Sequence, residues 1–308
     1  MPNMGAFGSA PDAYDKLVVC SVTSAGRLHR AKVMARSVKK FEPEAIVFVC
    51  LAEESFPPSA ESSCVDRWVL AKDLGIPDFY SNMLKYRCSE AIASVKAAAL
   101  QHAMKQYPQC SQFVYLDDDT KVYYRLEAAK EALRQHPIWL TPHILNTSRH
   151  QDGLQRFGLF NSGFIAIARS KPAEEFLKWW NGKLSENCYK DERRYAGQGW
   201  LDFAPLYFDA KTLRHPGYNM GMWNIGETGR DVTHTEKGIY YLYEKPLVVF
   251  HYAGIDTELF ASTMREAYPE GANLLYRLAE EYRRELAEEG GQEASSVPWS
   301  YDLLKAES

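Results

Sequence analysis

The sequence predicts an α/β fold with a mostly parallel central sheet flanked by helices. The first observation is a set of short, continuously apolar runs at residues 17–22, 45–51 and 112–116, a pattern typical of parallel strands buried on both faces. The second is that segments with helical spacing of apolar residues separate these runs, so strand–helix–strand units are expected. The chain has 308 residues, enough for one such domain with a small addition.

The first half of the chain supplies most of the predicted sheet. Residues 1–15 show no periodic pattern and are expected to form a flexible tail. Strands are predicted at residues 17–22, 45–51, 65–70, 112–116 and 138–141. Helices are predicted at residues 28–40, 89–107 and 126–135. The second of these helices is long and ends because Pro108 cannot continue it.

The character of the sequence changes after residue 143. Gly, Asn and aromatic residues become frequent, and the predicted elements become shorter. Strands are predicted over 164–168 and 247–251, and helices over 173–181 and 271–289. The last helix carries many charged residues and is expected to expose one face to solvent.

Charge and cysteine usage exclude several classes of protein. The net charge of −4 lacks the basic footprint of non-specific nucleic-acid binding. The six cysteines form no CxxC pair, which argues against a zinc site and favours a reducing compartment over a disulfide scaffold. Neither a signal-peptide pattern nor an apolar stretch of roughly 20 residues is present. We therefore expect a cytoplasmic protein, with peripheral association at the inner face of a membrane left open.

Three consecutive carboxylates follow the predicted strand 112–116. Side chains alternate along an extended chain, so Asp117 and Asp119 are expected on one side and Asp118 on the other. The carboxyl ends of parallel strands are where open α/β sheets bind ligands. A hard divalent cation, which prefers oxygen ligands, would relieve the repulsion between two carboxylates there. A solvated acidic turn is the alternative.

Four motifs, taken in order, resemble those of glycosyltransferase family 8 and related bacterial polysaccharide glycosyltransferases, which have the GT-A fold. LDDD (116–119) is similar to their DxD motif, and FNSGF (160–164) to their NAG or NSG segment. GQGWLD (197–202) is similar to their DQ segment, and HYAG (251–254) to their HxxG motif. The similarity runs from about residue 17 to residue 260, and the order of the motifs is more specific than any one of them.

The resemblance implies a domain organisation and an activity. Residues 16–265 would form a single GT-A catalytic domain, with a nucleotide-binding half (16–142) and an acceptor half (143–265), followed by a C-terminal helical extension (266–308). The implied activity is metal-dependent transfer of a sugar from a nucleotide-diphosphate donor, with a UDP-sugar favoured. A hydroxyl of a glycan or other acceptor would receive the sugar, with retention of configuration as in family 8.

The resemblance also implies a metal-ligand set. His251 would be the third ligand beside Asp117 and Asp119, whereas a hydrogen-bonded core histidine is the alternative interpretation. One nitrogen and two carboxylate ligands suit Mn²⁺ better than Mg²⁺, which stays an alternative. Asp118 is expected to contact the donor ribose.

Further donor contacts are expected from the loop after the first strand and from one helix. In the resembling fold, the loop that contains Thr23 and Ser24 receives the base and ribose, although a plain turn is the alternative. Family 8 members often carry a lysine shortly after HxxG, whereas this chain has IDTE (255–258). Lys96 or Arg27 is therefore expected to contact the donor diphosphate instead.

The reaction centre is expected to contain Asn161, Gln198 and Asp202. The two amides offer paired donors and acceptors to sugar hydroxyls, although a tight turn is the alternative for the NSG segment. Asp202 would stabilise a positively charged transition state or act as a base. Trp200 and Trp223 are candidates for stacking on an acceptor sugar.

Three other functions stay open at this stage. A sugar-nucleotide pyrophosphorylase would need a multi-glycine basic loop after the first strand, where TSAGR (23–27) has one glycine. A non-catalytic glycan-binding module with a degenerate metal site is a second alternative. Glycosylation of a modified nucleic-acid base is a minor third alternative, unsupported by the charge balance. The acceptor and the oligomeric state are not indicated.

Overall fold

A computed structural model describes residues 16–146, 157–190, 195–269 and 273–307. The predicted tail, residues 1–15, lies outside the described residues. In chain order the strands are β1 (Leu17–Thr23), β2 (Ile46–Leu51), β3 (Arg67–Leu70), β4 (Gln112–Leu116), β5 (Thr120–Val122), β6 (Ile138–Pro142), β7 (Phe160–Ala168), β8 (Ala210–Thr212), β9 (Met220–Gly221), β10 (His234–Glu236), β11 (Ile239–Leu242), β12 (Lys245–Pro246) and β13 (Val249–His251).

Helices cover both faces of the sheet and form the C-terminal part of the chain. In chain order they are α1 (Leu28–Phe41), α2 (Phe79–Lys85), α3 (Cys88–Ser94), α4 (Lys96–Gln106), α5 (Glu127–Leu133), α6 (Lys171–Glu186), α7 (Ala204–Tyr207), α8 (Glu258–Ala267), α9 (Leu274–Glu288), α10 (Gly291–Ser295) and α11 (Ser300–Glu307). Short 3₁₀ helices lie at Ala25–Arg27, Ala71–Leu74 and Gln198–Phe203. In the described ranges, no helix combines the length and apolar character needed to cross a bilayer.

The central sheet contains seven strands within the described residues, in the order β3-β2-β1-β4-β7-β6-β8. All of its neighbouring pairs are parallel except those of β7, which runs antiparallel to β4 and β6. The predicted mostly parallel sheet flanked by helices is therefore confirmed. The antiparallel β7 brings the NSG segment alongside the end of β4, where the three aspartates begin.

Two apolar cores, one on each face of the sheet, explain the continuous apolar runs. Val18, Cys20 and Val22 of β1 pack on one face with α3, α4 and α6. Leu17 and Val19 pack on the other face with α1 and α5. Because both faces are covered, every residue of β1 is buried, as the pattern predicted.

A smaller sheet connects the two halves of the chain. It has the order β5-β13-β9, with β13 antiparallel to β5 and parallel to β9. Tyr252, immediately after β13, stacks on Tyr282 of α9, with ring centroids 3.8 Å apart. This third core therefore holds β13 against the C-terminal helices.

Two predicted elements differ from the structure. The single helix predicted over 89–107 is divided at Val95, whose φ of −100° and ψ of 0° leave the helical region. The Ser94 hydroxyl donates to the carbonyl of Ala91 at 2.8 Å, which competes with the helical ladder at that point. Strand β7 begins at Phe160 rather than residue 164, because Asn161 pairs with Thr141 in β6 and the NSG segment is extended instead of turning.

Candidate active site

Strand register brings the predicted metal ligands together. Asp117 and Asp119 follow the carboxyl end of β4, and His251 ends β13. Because β13 pairs with β5, His251 lies opposite Thr120, the residue after Asp119. Nε2 of His251 is 2.9 Å from Oδ1 of Asp119 and 3.8 Å from Oδ2 of Asp117. One ligand atom from each of the three residues lies within 4.8 Å of the others, so this group could hold a divalent cation.

Gly163 of the NSG segment makes room for this imidazole. A Cβ atom at Gly163 would overlap the His251 ring and would lie 2.8 Å from Oδ1 of Asn161. The carbonyl of Gly163 also accepts from the backbone N–H of Asp117 at 3.0 Å. A glycine is therefore required here for close approach, and not for a turn.

Asp117 and Asp119 face His251 together and Asp118 does not, as predicted, but the reason is not strand alternation. Strand β4 ends at Leu116, so the three aspartates lie in a turn, where side chains do not alternate as they do in a strand. Oδ2 of Asp118 accepts from the Thr23 hydroxyl at 2.8 Å and from Nε of Arg27 at 2.8 Å. Nη2 of Arg27 contacts both Asp118 and Asp119, the latter at 3.0 Å. The guanidinium therefore bridges two carboxylates that were expected on opposite sides.

Lys96, the first residue of α4, is buried against the candidate cation ligands. Its Nζ lies 2.6 Å from Oδ1 of Asp117 and 3.0 Å from Oγ of Ser162. The Tyr115 hydroxyl donates to the same Asp117 oxygen at 2.9 Å. The Lys96 side chain is only 7% exposed, whereas that of Arg27 is 35% exposed. Of the two predicted phosphate contacts, Arg27 is the one open to a ligand.

The surrounding charges keep the carboxylate of Asp119 ionised. Burial raises the pKa of Asp119, but the charges of His251 and Arg27 outweigh burial and hold this pKa well below its usual range. Burial likewise lowers the pKa of Arg27, and the facing carboxylates of Asp118 and Asp119 raise it well above its usual value. The pair is therefore charged at neutral pH, and the carboxylate of Asp119 is available to a cation.

The predicted sugar-contacting amides also come together, around a histidine that was not predicted. Nε2 of His143 lies 3.3 Å from Nδ2 of Asn161 and 3.3 Å from Nε2 of Gln198. Burial is the main cause that lowers the pKa of His143 to about 4. His143 directly follows β6 at the edge of the sheet, and this position after a predicted strand is the signal that could have found it.

The side-chain amide of Gln198 forms hydrogen bonds within the protein. Oε1 of Gln198 accepts from the backbone N–H of Ser162 at 2.8 Å, and Nε2 donates to the carbonyl of Phe157 at 2.7 Å. The Gln198 side chain thus connects the 3₁₀ helix Gln198–Phe203 to the NSG segment. Gln198 and Asn161 are 4% and 7% exposed, so both side chains are buried.

Asp202 lies on the same 3₁₀ helix and holds the start of β7. Its Oδ1 accepts from the backbone N–H groups of Leu159, at 2.7 Å, and Phe160, at 3.4 Å. Burial raises the pKa of Asp202. The described hydrogen bonds therefore connect Asp202 with the amide side of the site rather than with the cation ligands.

The predicted nucleoside loop is buried beneath the C-terminal segment. Thr23 and Ser24 are 0% and 3% exposed. The backbone N–H of Ala25 donates to Oε1 of Glu53 at 2.8 Å, and the backbone N–H of Ser300 donates to Oε2 of the same carboxylate at 2.9 Å. The loop and the segment that leads into α11 are therefore tied to one buried glutamate.

Trp223, a candidate for stacking on an acceptor sugar, lies between His143 and His251. Its ring meets those of His143 and His251 edge-on, with centroid distances of 5.6 Å and 5.0 Å. Trp200 instead donates its Nε1–H to the carbonyl of Asn187 at 3.3 Å and lies under the ammonium of Lys183. Trp223 therefore borders both the cation ligands and the amide cluster.

Asn219 is a second residue to which the sequence assigned no role. It is 0% exposed, and its Oδ1 lies 3.1 Å from Nδ1 of His251. Its Nδ2 lies 2.8 Å from Oγ1 of Thr141 and 3.0 Å from Oδ1 of Asn161. No sequence pattern predicts these contacts, because the three partners of Asn219 come from three different strands.

Comparisons with known proteins agree with this architecture. The sequence is 25% identical over 249 residues to the uncharacterized protein YfnF of Bacillus subtilis (strain 168), which covers 76% of this chain and 80% of that protein. It is 26% identical over 171 residues to the uncharacterized protein YfnD of the same organism, which covers 52% of each chain. No protein-family model matches the sequence.

Among solved structures, the galactosyltransferase LgtC, in complex with donor and acceptor sugar analogs, matches 91% of this chain and 97% of that one, with a TM-score of 0.50 and 17% identity. The chain has the GT-A fold. The carboxyl edge of its central sheet holds the group formed by Asp117, Asp119 and His251, as expected from the sequence.

Proposed function

We propose that this protein is a metal-dependent glycosyltransferase. It moves a sugar from a nucleotide-diphosphate donor, with a UDP-sugar favoured, to a hydroxyl of a glycan or other acceptor. The observation that carries the proposal is the convergence of Asp117, Asp119 and His251 at the carboxyl edge of a GT-A sheet. LgtC, which shares the fold, is a galactosyltransferase with donor and acceptor sugar analogs bound, and this likeness supports a two-substrate transfer.

The donor set fits a divalent cation. Two carboxylates and one imidazole nitrogen suit Mn²⁺, with Mg²⁺ as the alternative, and the lack of a side chain at Gly163 leaves room for the imidazole. When bound, such a cation supplies Lewis-acid stabilisation of the charge that develops on a departing nucleoside diphosphate. Asp117, Asp119 and His251 would hold it.

The remaining polar residues divide between donor and acceptor. Arg27, whose side chain is 35% exposed, exchanges its carboxylate partners for phosphate oxygens, while the buried Lys96 balances the charge of Asp117. We assign the ribose contact to Asp118 and the base end of the donor to the loop that contains Thr23 and Ser24. Because the C-terminal segment covers this loop, that segment must move for the donor to enter.

On the acceptor side, Asn161 and Gln198 orient sugar hydroxyls. Asp202 stabilises positive charge at the anomeric carbon or acts as a base, and retention of configuration is proposed on the resemblance to family 8. A cytoplasmic location is proposed as well, because all six cysteines are free and such usage suits a reducing compartment.

A thermal-shift screen with an added turnover assay tests the proposal. UDP-, GDP- and TDP-sugars are compared with and without Mn²⁺, and release of nucleoside diphosphate is followed by chromatography. A ligand that binds only the folded state raises the melting temperature, so one donor is expected to stabilise the protein only when Mn²⁺ is present. Donor cleavage that continues unchanged in excess chelator contradicts the role of the metal. Formation of a sugar nucleotide from sugar phosphate and nucleoside triphosphate would identify a pyrophosphorylase instead.

A further inference from the structure

We infer that Asn219 is a positioning residue that sets the tautomer of His251 and presents its Nε2 to the cation. The inference rests on the proposed function only where it concerns the cation. The assignment of donors and acceptors follows from the hydrogen-bond partners alone. A buried chain of side chains joins His143, Asn161, Asn219 and His251. Two backbone groups determine which atom donates in each hydrogen bond of this series.

The first fixed point is at His143. Its Nδ1 lies 2.8 Å from the carbonyl oxygen of Gly158. A carbonyl only accepts, so Nδ1 carries the hydrogen, and Nε2 of the neutral ring is then an acceptor. Two side-chain amides face that Nε2 at 3.3 Å, and each must present its NH₂ group. Asn161 therefore directs Nδ2 to His143.

The second fixed point is at Gly163. Its backbone N–H donates to Oδ1 of Asn161 at 2.8 Å, which gives Asn161 the same orientation as His143 does. Asn219 approaches this Oδ1 at 3.0 Å and must therefore do so with its own NH₂ group. The same Nδ2 lies 2.8 Å from Oγ1 of Thr141, which accepts the second hydrogen.

The orientation of Asn219 then decides that of His251. With Nδ2 occupied, Oδ1 of Asn219 faces Nδ1 of His251 at 3.1 Å and can only accept, so Nδ1 donates. The opposite nitrogen, Nε2, points to Asp119 and Asp117, where a cation would be held. A ligating histidine whose other nitrogen donates to a fixed acceptor is oriented and more basic, and loss of such an acceptor costs about 10- to 100-fold in metal affinity.

The backbone holds Asn219 in this place before any ligand binds. Its φ of +51° lies in the left-handed region, which asparagine and glycine tolerate better than other residues. Asn224 ties this segment to β6, since its Nδ2 donates to the carbonyl of His143 at 2.9 Å and its Oδ1 accepts from the N–H of Gly221 at 3.0 Å. A cation would replace the hydrogen that lies between Nε2 of His251 and Oδ1 of Asp119, 2.9 Å apart, while Asn219 keeps the ring in place.

Mn²⁺ binding without any sugar nucleotide tests the inference. The concentration of free Mn²⁺ is measured by electron paramagnetic resonance. Electron spin-echo modulation from ¹⁴N reports whether an imidazole coordinates the bound ion. Asn219→Gly removes the acceptor, and Asn219→Asp keeps it; both residues tolerate the positive φ. We expect Asn219→Gly to weaken Mn²⁺ binding by about 10- to 100-fold and to change the ¹⁴N modulation, because the ring loses its fixed orientation. Asn219→Asp loses the NH₂ group that faces Asn161 and Thr141 but still accepts from Nδ1, so it should keep the wild-type modulation.

Should Asn219→Gly fail to fold, ¹⁵N NMR of the Mg²⁺-loaded wild-type protein takes its place: His251 should carry its hydrogen on Nδ1, and a hydrogen on Nε2 instead would overturn the inference. Thr141→Val is the matched control, because it removes a partner of Asn219 Nδ2 and leaves the contact with His251. Wild-type affinity and modulation in Asn219→Gly would overturn the inference while leaving the proposed function intact. Conversely, a wild-type protein that coordinates Mn²⁺ through an imidazole but cleaves no donor would defeat the proposed function alone.

Discussion

His251 and Asp119 are joined twice, once through their side chains and once through the backbone beside them. Nε2 of His251 lies 2.9 Å from Oδ1 of Asp119, and the backbone N–H of Tyr252, the next residue, donates to the carbonyl of Asp119 at 2.8 Å. The pairing of β13 with β5 therefore sets the separation of these two ligands. The candidate cation site is preformed by strand register, so substitutions of its side chains are expected to change binding more than folding.

Asp119→Asn tests the central ligand. The substitution neutralises a carboxylate that faces His251, Arg27 and Arg30. Arg27 keeps its contact with Asp118, and Arg30 keeps its contact with Asp256. We expect Mn²⁺ affinity and donor cleavage to fall by at least about 100-fold, since losing a direct ligand should exceed the loss of an outer-shell contact. Calorimetric Mn²⁺ titration and a circular-dichroism melt measure the two consequences. A folded variant with wild-type Mn²⁺ affinity would contradict the assignment.

Asp118→Asn is the matched control for that experiment. It makes the same chemical change one residue away, on a carboxylate held by Thr23 and Arg27 and outside the candidate ligand set. We expect Mn²⁺ affinity to stay close to wild type and the KM for the donor to rise, because the proposed ribose contact is lost.

Gly163→Ala tests the space reserved for the imidazole. The added methyl group would overlap the His251 ring and press on Asn161, so the ring must move away from the two carboxylates. We expect loss of Mn²⁺ binding together with a destabilisation of about 1–3 kcal/mol from overpacking. Gly182→Ala is the control, because that helical glycine has open space around its Cβ position and its replacement should stabilise by about 0.5–1 kcal/mol. Unchanged Mn²⁺ affinity in Gly163→Ala would show that the close contact is unimportant.

The sequence predicted the features of the site that depend on local pattern. Strand β4 is an apolar run that ends at the aspartates, and the order of motifs pointed to His251 as their partner. The roles of His143 and Asn219 were not predicted, because a buried polar contact depends on partners brought together by the fold and leaves no periodic signal. The turn at Asp118 was missed for a related reason: where a strand ends decides side-chain direction, and strand ends are the least certain part of such a prediction.

Arg27→Gln separates the two basic residues proposed for the donor diphosphate. Arg27 is partly exposed and bridges Asp118 and Asp119, whereas Lys96 is enclosed with Asp117 and Ser162. A hydrogen bond to a charged group contributes about 1.5–3 kcal/mol, so we expect the donor KM of Arg27→Gln to rise by about 10- to 100-fold with kcat less affected. Lys96→Gln should mainly lower the melting temperature, because it leaves a carboxylate without its buried partner. Steady-state kinetics and melts of both variants distinguish the roles, and the reverse pattern would exchange them.

Stability is expected to fall between pH 6.5 and pH 4, because buried histidines stay neutral in the folded protein. Burial lowers the pKa of His29 and of His143 to about 4 in each case. The unfolded chain binds protons at both positions from pH 6.5 downward, whereas the folded protein does so only near pH 4, so acidification favours unfolding over this window and has no effect through these groups above it. Each group contributes on the order of 3 kcal/mol across the window.

Nδ1 of His29 has no hydrogen-bond partner among the described residues, so His29→Leu should leave stability at pH 8 unchanged or higher and should reduce the dependence of stability on pH. Urea unfolding at a series of pH values measures this slope, and a variant with the wild-type slope would mean that His29 is already protonated in the folded state.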